Sequence, residues 1–240
     1  AIPTIHEYAS LSVGQGNHVK DLIKRWVNAR PSMRVFLNES IRNAYAFRDS
    51  VPYCYRDMGV DPNFFQAVHT EIVYDFVYVG AMDSNRNFHS VLDFFSRNPS
   101  HSILLIGKPD SDLYDTYKRY KNMTFTGLVS YQDVPTLVKQ AQYALNYIPD
   151  KYPYSLQTST KLLEYVALGM KVVTTSYQWV NQFEAQRRMR FYKIREDFSG
   201  FDWNELSTFH FNNTSIEDLR WEHVLKASGL DNALKHLLGE

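Results

Sequence analysis

The stretch Thr158-Ser-Thr-Lys-Leu-Leu-Glu-Tyr-Val-Ala-Leu-Gly-Met-Lys-Val-Val-Thr-Thr175 decides the fold. Its hydroxyl-rich start suits a helix cap, and Lys161 and Glu164 sit on an amphipathic turn. Gly169 stops the helix, and a β-branched strand follows from Lys171 to Thr175. Helix, glycine, strand is the closing half of a strand–helix–strand unit, and the same alternation runs outward in both directions.

Upstream, Asp75 to Gly80, Ser102 to Gly107, Met123 to Leu128 and Tyr143 to Ile148 are apolar runs of strand length. Helical patterns at Phe88 to Arg97, Leu113 to Tyr120 and Val134 to Gln142 separate them. Downstream, Trp179 to Arg188 and Phe191 to Ile194 add another helix and strand. This spacing predicts a Rossmann-like α/β fold, a parallel sheet with right-handed crossovers and helices on both faces. Residues 1–62 carry a shorter version, read as a smaller partial α/β domain. Its expected strands are Ile2 to Tyr8, Arg34 to Leu37 and Tyr53 to Arg56, and its expected helices Val19 to Asn28 and Ser40 to Phe47. The turn-prone Met58-Gly-Val-Asp-Pro-Asn63 marks the connection to a second domain over 63–215. The segment 216–240 reads as helical, with an interruption at Gly229.

Composition narrows the function classes. With 26 basic and 26 acidic residues the formal net charge is zero, which argues against a nucleic-acid partner. Cys54 is the only cysteine, so no intramolecular disulfide or cysteine-based zinc site is expected, and a reducing, cytoplasmic compartment fits. No apolar run reaches the roughly 18–20 residues needed to cross a bilayer, and Ala1 to Tyr8 does not read as a leader. Peripheral contact with the inner membrane face stays compatible with this reading. The eight histidines show no metal-ligand spacing, and Asp110-Ser-Asp112 reads as a helix cap, so no metal site and no cofactor are expected.

A helix start rich in free N–H groups, with Lys161 one turn in and Glu164 at the next step, suits a nucleoside diphosphate. The helix N-terminus would take the phosphates and the carboxylate the ribose hydroxyls. An ordinary capped helix feeding a buried strand is the alternative for these residues alone. The loop Ala81 to Asn87 follows a strand end and carries Arg86, a candidate phosphate ligand; a surface arginine is the alternative there. The spaced glycines of a dinucleotide fingerprint and of a phosphate-binding NTPase loop are both absent.

Tyr78-Val-Gly80, Leu104-Leu-Ile-Gly107, Thr124-Phe-Thr-Gly127 and Lys161 to Val173 occur in one order at regular intervals. Together, over about residues 75–195, they resemble the C-terminal nucleotide-sugar-binding domain of GT-B glycosyltransferases, in particular the retaining group called family 4. The resemblance implies transfer of a sugar from a UDP- or GDP-linked donor to a hydroxyl of a saccharide or lipid-linked acceptor, in polysaccharide or glycoconjugate synthesis, and the lack of a metal-ligand pattern in the sequence makes metal-independent transfer the expectation. It places Arg86 at the phosphates after Gly80, the backbone amides of Ser159 and Thr160 at the diphosphate, Glu164 at the ribose, and Leu128 and Val129 at the base, with Lys161 added from the helix pattern as a further cation beside the diphosphate. His6 falls where related enzymes carry a histidine near the transferred sugar; a structural histidine at a strand end is the alternative.

Two positions depart from the pattern: Leu156 stands eight before Glu164, where an acidic residue is usual, and Ala81 where a second basic residue is common. The resemblance also leaves the N-terminal domain incomplete, implying a fragment or a part supplied by another chain. Two further classes stay open: a non-catalytic nucleotide-sugar-binding partner and a nucleotide-sugar epimerase of similar architecture. Asp218 to Leu225 resembles the tryptophan-bearing terminal segment that crosses back to the first domain, which predicts a largely buried Trp221.

Overall fold

The computed structural model describes residues 2–12, 23, 29–66 and 69–239. The chain divides into two compact units. The first comprises Ala1–Val60, Tyr152–Thr158 and Asp218–Glu240, and the second Asp61–Lys151 and Ser159–Glu217. The helix expected over Val19 to Asn28 lies, apart from Ile23, outside the described residues.

The second unit holds the larger sheet. Its strands are β4 (Tyr74–Val79), β5 (Ile103–Ile106), β6 (Met123–Gly127), β7 (Ala141–Asn146), β8 (Lys171–Thr175) and β9 (Tyr192–Ile194). All pairings are parallel, in the order β6-β5-β4-β7-β8-β9. The helices between them are α2 (His89–Arg97), α3 (Ser111–Tyr117), α4 (Val134–Val138), α5 (Thr160–Ala167) and α6 (Gln178–Arg187), with α7 (Trp203–Thr208) after the last strand. Because right-handed crossovers run one way from β4 to β6 and the other way from β6 to β9, α2 and α3 lie on one face and α4, α5 and α6 on the other. The direction reverses between β4 and β7, and open α/β sheets bind ligands at such a switch point, beyond the carboxyl ends of the strands. The expected Rossmann-like α/β fold is therefore present.

Burial follows the periodicity. Strands β4 and β5 are buried along most of their length, as parallel strands covered on both faces must be. Phe76, Phe88, Phe95, Leu105 and Tyr147 form the centre of the aromatic-rich core. One expected element is shorter: α4 ends at Val138, because Ala141 already pairs with Tyr74 and Tyr143 with Phe76. Pairing in the sheet overrides the helical pattern of the residues before it. Helix α7, which the sequence reading did not anticipate, is capped by Asp202, whose side chain accepts from the amides of Asn204 and Glu205.

The first unit contains a three-stranded parallel sheet in the order β1 (Ile5–Tyr8), β2 (Met33–Phe36), β3 (Tyr53–Tyr55), with α1 (Glu39–Tyr45) between the last two. Asn38 caps α1 through the amide of Ile41. Tyr8, Phe36, Ile41 and Tyr45 form its core, against which Tyr152 and Leu156 pack. That packing places Tyr152–Thr158 in the first unit, although the sequence reading assigned them to the second domain.

The C-terminal segment folds as α8 (Trp221–Ser228) and α9 (Leu230–Leu238), broken at Gly229 with φ +67°. It belongs to the first unit. The amide of Trp221 donates to the carbonyl of Val60, and a side chain at Gly59 would collide with the indole at 2.5 Å. Trp221 is half-buried rather than largely buried as expected, and Leu238 is exposed.

Candidate functional site

At the carboxyl ends of β4 and β5 the two backbones approach closely. Gly107 has φ +136°, and a side chain there would place its first carbon 2.2 Å from the carbonyl oxygen of Gly80. Only glycine admits this approach. Beyond it opens a cleft of about 320 Å³, lined by Val79, Gly80, Lys108, Leu128, Val129 and Tyr131 among others. Three expected site residues, Gly80, Leu128 and Val129, are thus brought together. Leu128 is 80 % exposed, an apolar side chain standing open beside the cleft.

The start of α5 is a buried polar network. The Ser159 hydroxyl accepts from the amide of Leu162 at 3.3 Å and donates to Asn146 Oδ1 at 2.7 Å. Asn146 Nδ2 donates to Thr174 Oγ1 and to the Tyr177 hydroxyl. The Ser159 side chain is therefore committed to the cap, and the positive end of the helix rests on the amides of its first turn, from Thr160 and Lys161. The guanidinium of Arg86 bears on this neighbourhood: its charge opposes the burial that lifts the Tyr78 phenol to about 12 and raises the Tyr177 phenol. Arg86 itself ends a short turn capped by Asp83. Asn146, Thr174 and Tyr177 escaped the sequence reading; the signal available was a polar residue closing the apolar run of β7.

Glu164 is the most deeply buried acid of the second unit, at 1 % exposure. Both oxygens are engaged: Oε1 accepts from the Tyr131 hydroxyl at 3.1 Å and Oε2 from Lys161 Nζ at 2.6 Å. Burial raises its pKa, opposed by Lys161 and Tyr131. The phenol of Tyr131 is raised by burial and by the Glu164 charge. Its ring packs on Phe64, with centroids 5.3 Å apart, and Lys161 Nζ lies 5.6 Å from its centre. Tyr131 lines the cleft and Glu164 does not, so the carboxylate lies behind the phenol.

His6 belongs to the first unit, on β1, where it lines a separate cavity of about 620 Å³ with Glu7, Tyr8, Ser10 and Tyr45. Its Nδ1 is buried without a hydrogen-bond partner among the described residues. Leu156, at the position where the resemblance places an acid, ends a short turn and packs on the first unit's aromatic core. Among the described residues no three His, Cys, Asp or Glu side chains cluster to hold a metal ion, and no helix is long and apolar enough to cross a membrane.

No protein-family model matches the chain, and no curated protein sequence matches it. Solved structures do. HepE of Anabaena, solved with UDP and glucose, superposes with a TM-score of 0.71 at 12 % identity, covering 98 % of this chain and 72 % of HepE. Sucrose-phosphate synthase of Thermosynechococcus elongatus gives 0.68 at 15 % identity, covering 96 % of this chain and 67 % of the synthase. The UDP-forming α,α-trehalose-phosphate synthase of Burkholderia vietnamiensis gives 0.62 at 10 % identity, covering 99 % of this chain and 66 % of that protein. These neighbours are glycosyltransferases of GT-B architecture, and the parallel α/β fold described above is the one they share with this chain.

Proposed function

We propose that the second unit binds the nucleoside-diphosphate part of a sugar donor, UDP-linked first among the candidates, and that the chain acts in sugar transfer to a hydroxyl acceptor. The observation that carries this reading is the convergence at one end of the sheet. The glycine-floored cleft, the positive start of α5, Arg86 and the buried Glu164 all lie on the segments that follow the carboxyl ends of β4, β5, β6 and β7. In this reading the base lies against Leu128 and the Val129 main chain, the ribose hydroxyls reach Glu164, and the diphosphate meets the amides of Thr160 and Lys161 with Arg86 beside them. UDP is preferred over GDP because HepE is described with UDP and the trehalose-phosphate synthase as UDP-forming.

Sugar transfer leaves negative charge on the departing diphosphate, and donors fixed in place before the reaction stabilise it most effectively. Arg86 and the α5 terminus supply the opposing positive charge from the chain itself, so nucleotide binding is expected to be equal with and without EDTA. Retention of configuration, a saccharide or lipid-linked acceptor and a role in polysaccharide or glycoconjugate synthesis follow from the family resemblance and stand as part of the proposal.

Calorimetric titration with UDP, GDP and ADP tests the reading. Glu164→Ala should weaken UDP binding by about 1.5 kcal/mol, the lower end for hydrogen bonds to a charged group, since the carboxylate must exchange existing partners. Undiminished UDP binding by a folded Glu164→Ala variant refutes the ribose assignment. Leu156 favours a second reading, nucleotide-sugar binding without transfer, because an apolar side chain stands where the resemblance calls for an acid. Release of free sugar or transfer product from a UDP-sugar decides between the two.

A further inference from the structure

We propose that Tyr131 is a built-in occupant of the nucleotide site: its hydroxyl holds Glu164 in the place of a ribose hydroxyl, and nucleotide binds only as the phenol leaves. The inference rests on the assignment of Glu164 to the ribose. A phenol and a sugar hydroxyl offer a carboxylate the same thing, one O–H donor aimed at one oxygen. Oε1 of Glu164 already accepts that donor from Tyr131 at 3.1 Å, while Oε2 is held by Lys161. With Glu164 at 1 % exposure and Tyr131 on the cleft wall, a ligand hydroxyl entering from this cleft reaches Oε1 by replacing the phenol.

The local structure permits that exchange. Tyr131 is 46 % exposed and opens a single short turn, Tyr131–Asp133, between β6 and α4. Gly127 ahead of it has φ +70° and open space where a side chain would stand. Its principal aromatic partner is Phe64, itself buried, so the ring can slide on a fixed surface without unpacking the core. A ring released from Glu164 remains on the cleft wall with Leu128 and Val129, where its face is available to a nucleobase. Tyr131 thus acts twice, lowering apparent affinity through its hydroxyl and raising it through its ring.

The test is UDP titration of the full chain and of Tyr131→Phe, Tyr131→Ala, Glu164→Ala and the Glu164→Ala/Tyr131→Phe double variant. Near-ultraviolet circular dichroism verifies that each is folded. Tyr131→Phe keeps the ring and removes the competing donor, so it should bind UDP about tenfold more tightly, the factor expected when one net hydrogen bond no longer holds the closed form. The gain should vanish in the Glu164→Ala background, and Tyr131→Ala should not show it. A merely structural tyrosine predicts loss in both single Tyr131 variants. Weakened binding by Glu164→Ala together with no gain in Tyr131→Phe overturns the role of Tyr131 and leaves the ribose assignment standing. Unchanged binding by Glu164→Ala overturns both.

Discussion

Gly107→Ala isolates what the close approach at the cleft floor contributes. The added carbon would lie 2.2 Å from the Gly80 carbonyl oxygen, a backbone atom that cannot rotate away. The Gly80 amide donates to Ile106, and the Gly107 amide to the carbonyl of Gly127, each at 3.0 Å, so moving either strand end strains these bonds. Holding alanine at φ +136° adds backbone strain of about 1–3 kcal/mol, and forced overpacking adds about as much again. The expected cost is about 2–6 kcal/mol, centred near 4. Gly169→Ala is the control: φ is +69°, with open space at the site, so the cost is about 1–2 kcal/mol from backbone conformation alone. Equilibrium urea unfolding, followed by the near-ultraviolet signal of the Phe76–Phe88–Phe95 core, reads both variants on the second unit. Taking a mid-range difference of about 2.5 kcal/mol and a slope of about 2 kcal/mol per molar urea, the Gly107→Ala midpoint should fall roughly 1 M below that of Gly169→Ala. Coincident midpoints would refute the claim that backbone contact, rather than positive φ, requires glycine at 107.

Three further outcomes are expected. Asp49→Ala strands the Arg34 guanidinium, 5 % exposed, which it now pairs through two hydrogen bonds of 2.6 and 2.8 Å; the cost should be about 2 kcal/mol, reduced from the fully buried case because Asp49 itself reaches solvent. Arg34 holds the Asp49 carboxyl at about 2 against an unfolded value of 3.8, so this stability is complete above pH 3.8 and lost as pH falls toward 2; a penalty equal at pH 6 and pH 3 in urea unfolding would contradict it. Glu164 is the opposite case: burial raises its pKa above the unfolded 4.5, so wild type should gain stability relative to Glu164→Gln as pH falls from 7 toward 4.5, and a melting-temperature difference moving the other way would refute the buried charge. Ser159→Ala removes the α5 cap and leaves Asn146 Oδ1 without its donor, so it should cost about 1–3 kcal/mol in urea unfolding and lower the hydrogen-exchange protection of the Leu162 amide; unchanged protection would sink that account.

Much of the second unit could be read along the chain, because strands, helices and their stops are set by neighbours in sequence. The β-branched run at Lys171–Thr175 became β8 with the expected bounds, and Gly169 takes the positive φ that ends α5. The same locality brought Gly80, Arg86 and Glu164 into view, at a strand end, in the loop after it and on one turn of a helix, whereas Leu128 and Val129 came from the family resemblance alone. What the chain alone did not carry is partner choice across crossovers. Tyr131 and Glu164 are 33 residues apart, and Arg34 and Asp49 are 15 apart; neither pair has a spacing that signals contact. Sequence periodicity placed Glu164 on an amphipathic helix, but which oxygen a phenol would cover depends on how α5 and the loop after β6 pack in space. Likewise Tyr152–Thr158 resembled a loop of the second unit, and only the seating of Leu156 on the Tyr8–Phe36 core assigned it to the first. Local propensity selects the elements; burial and hydrogen-bond satisfaction, which act only once distant segments meet, decide what each side chain faces.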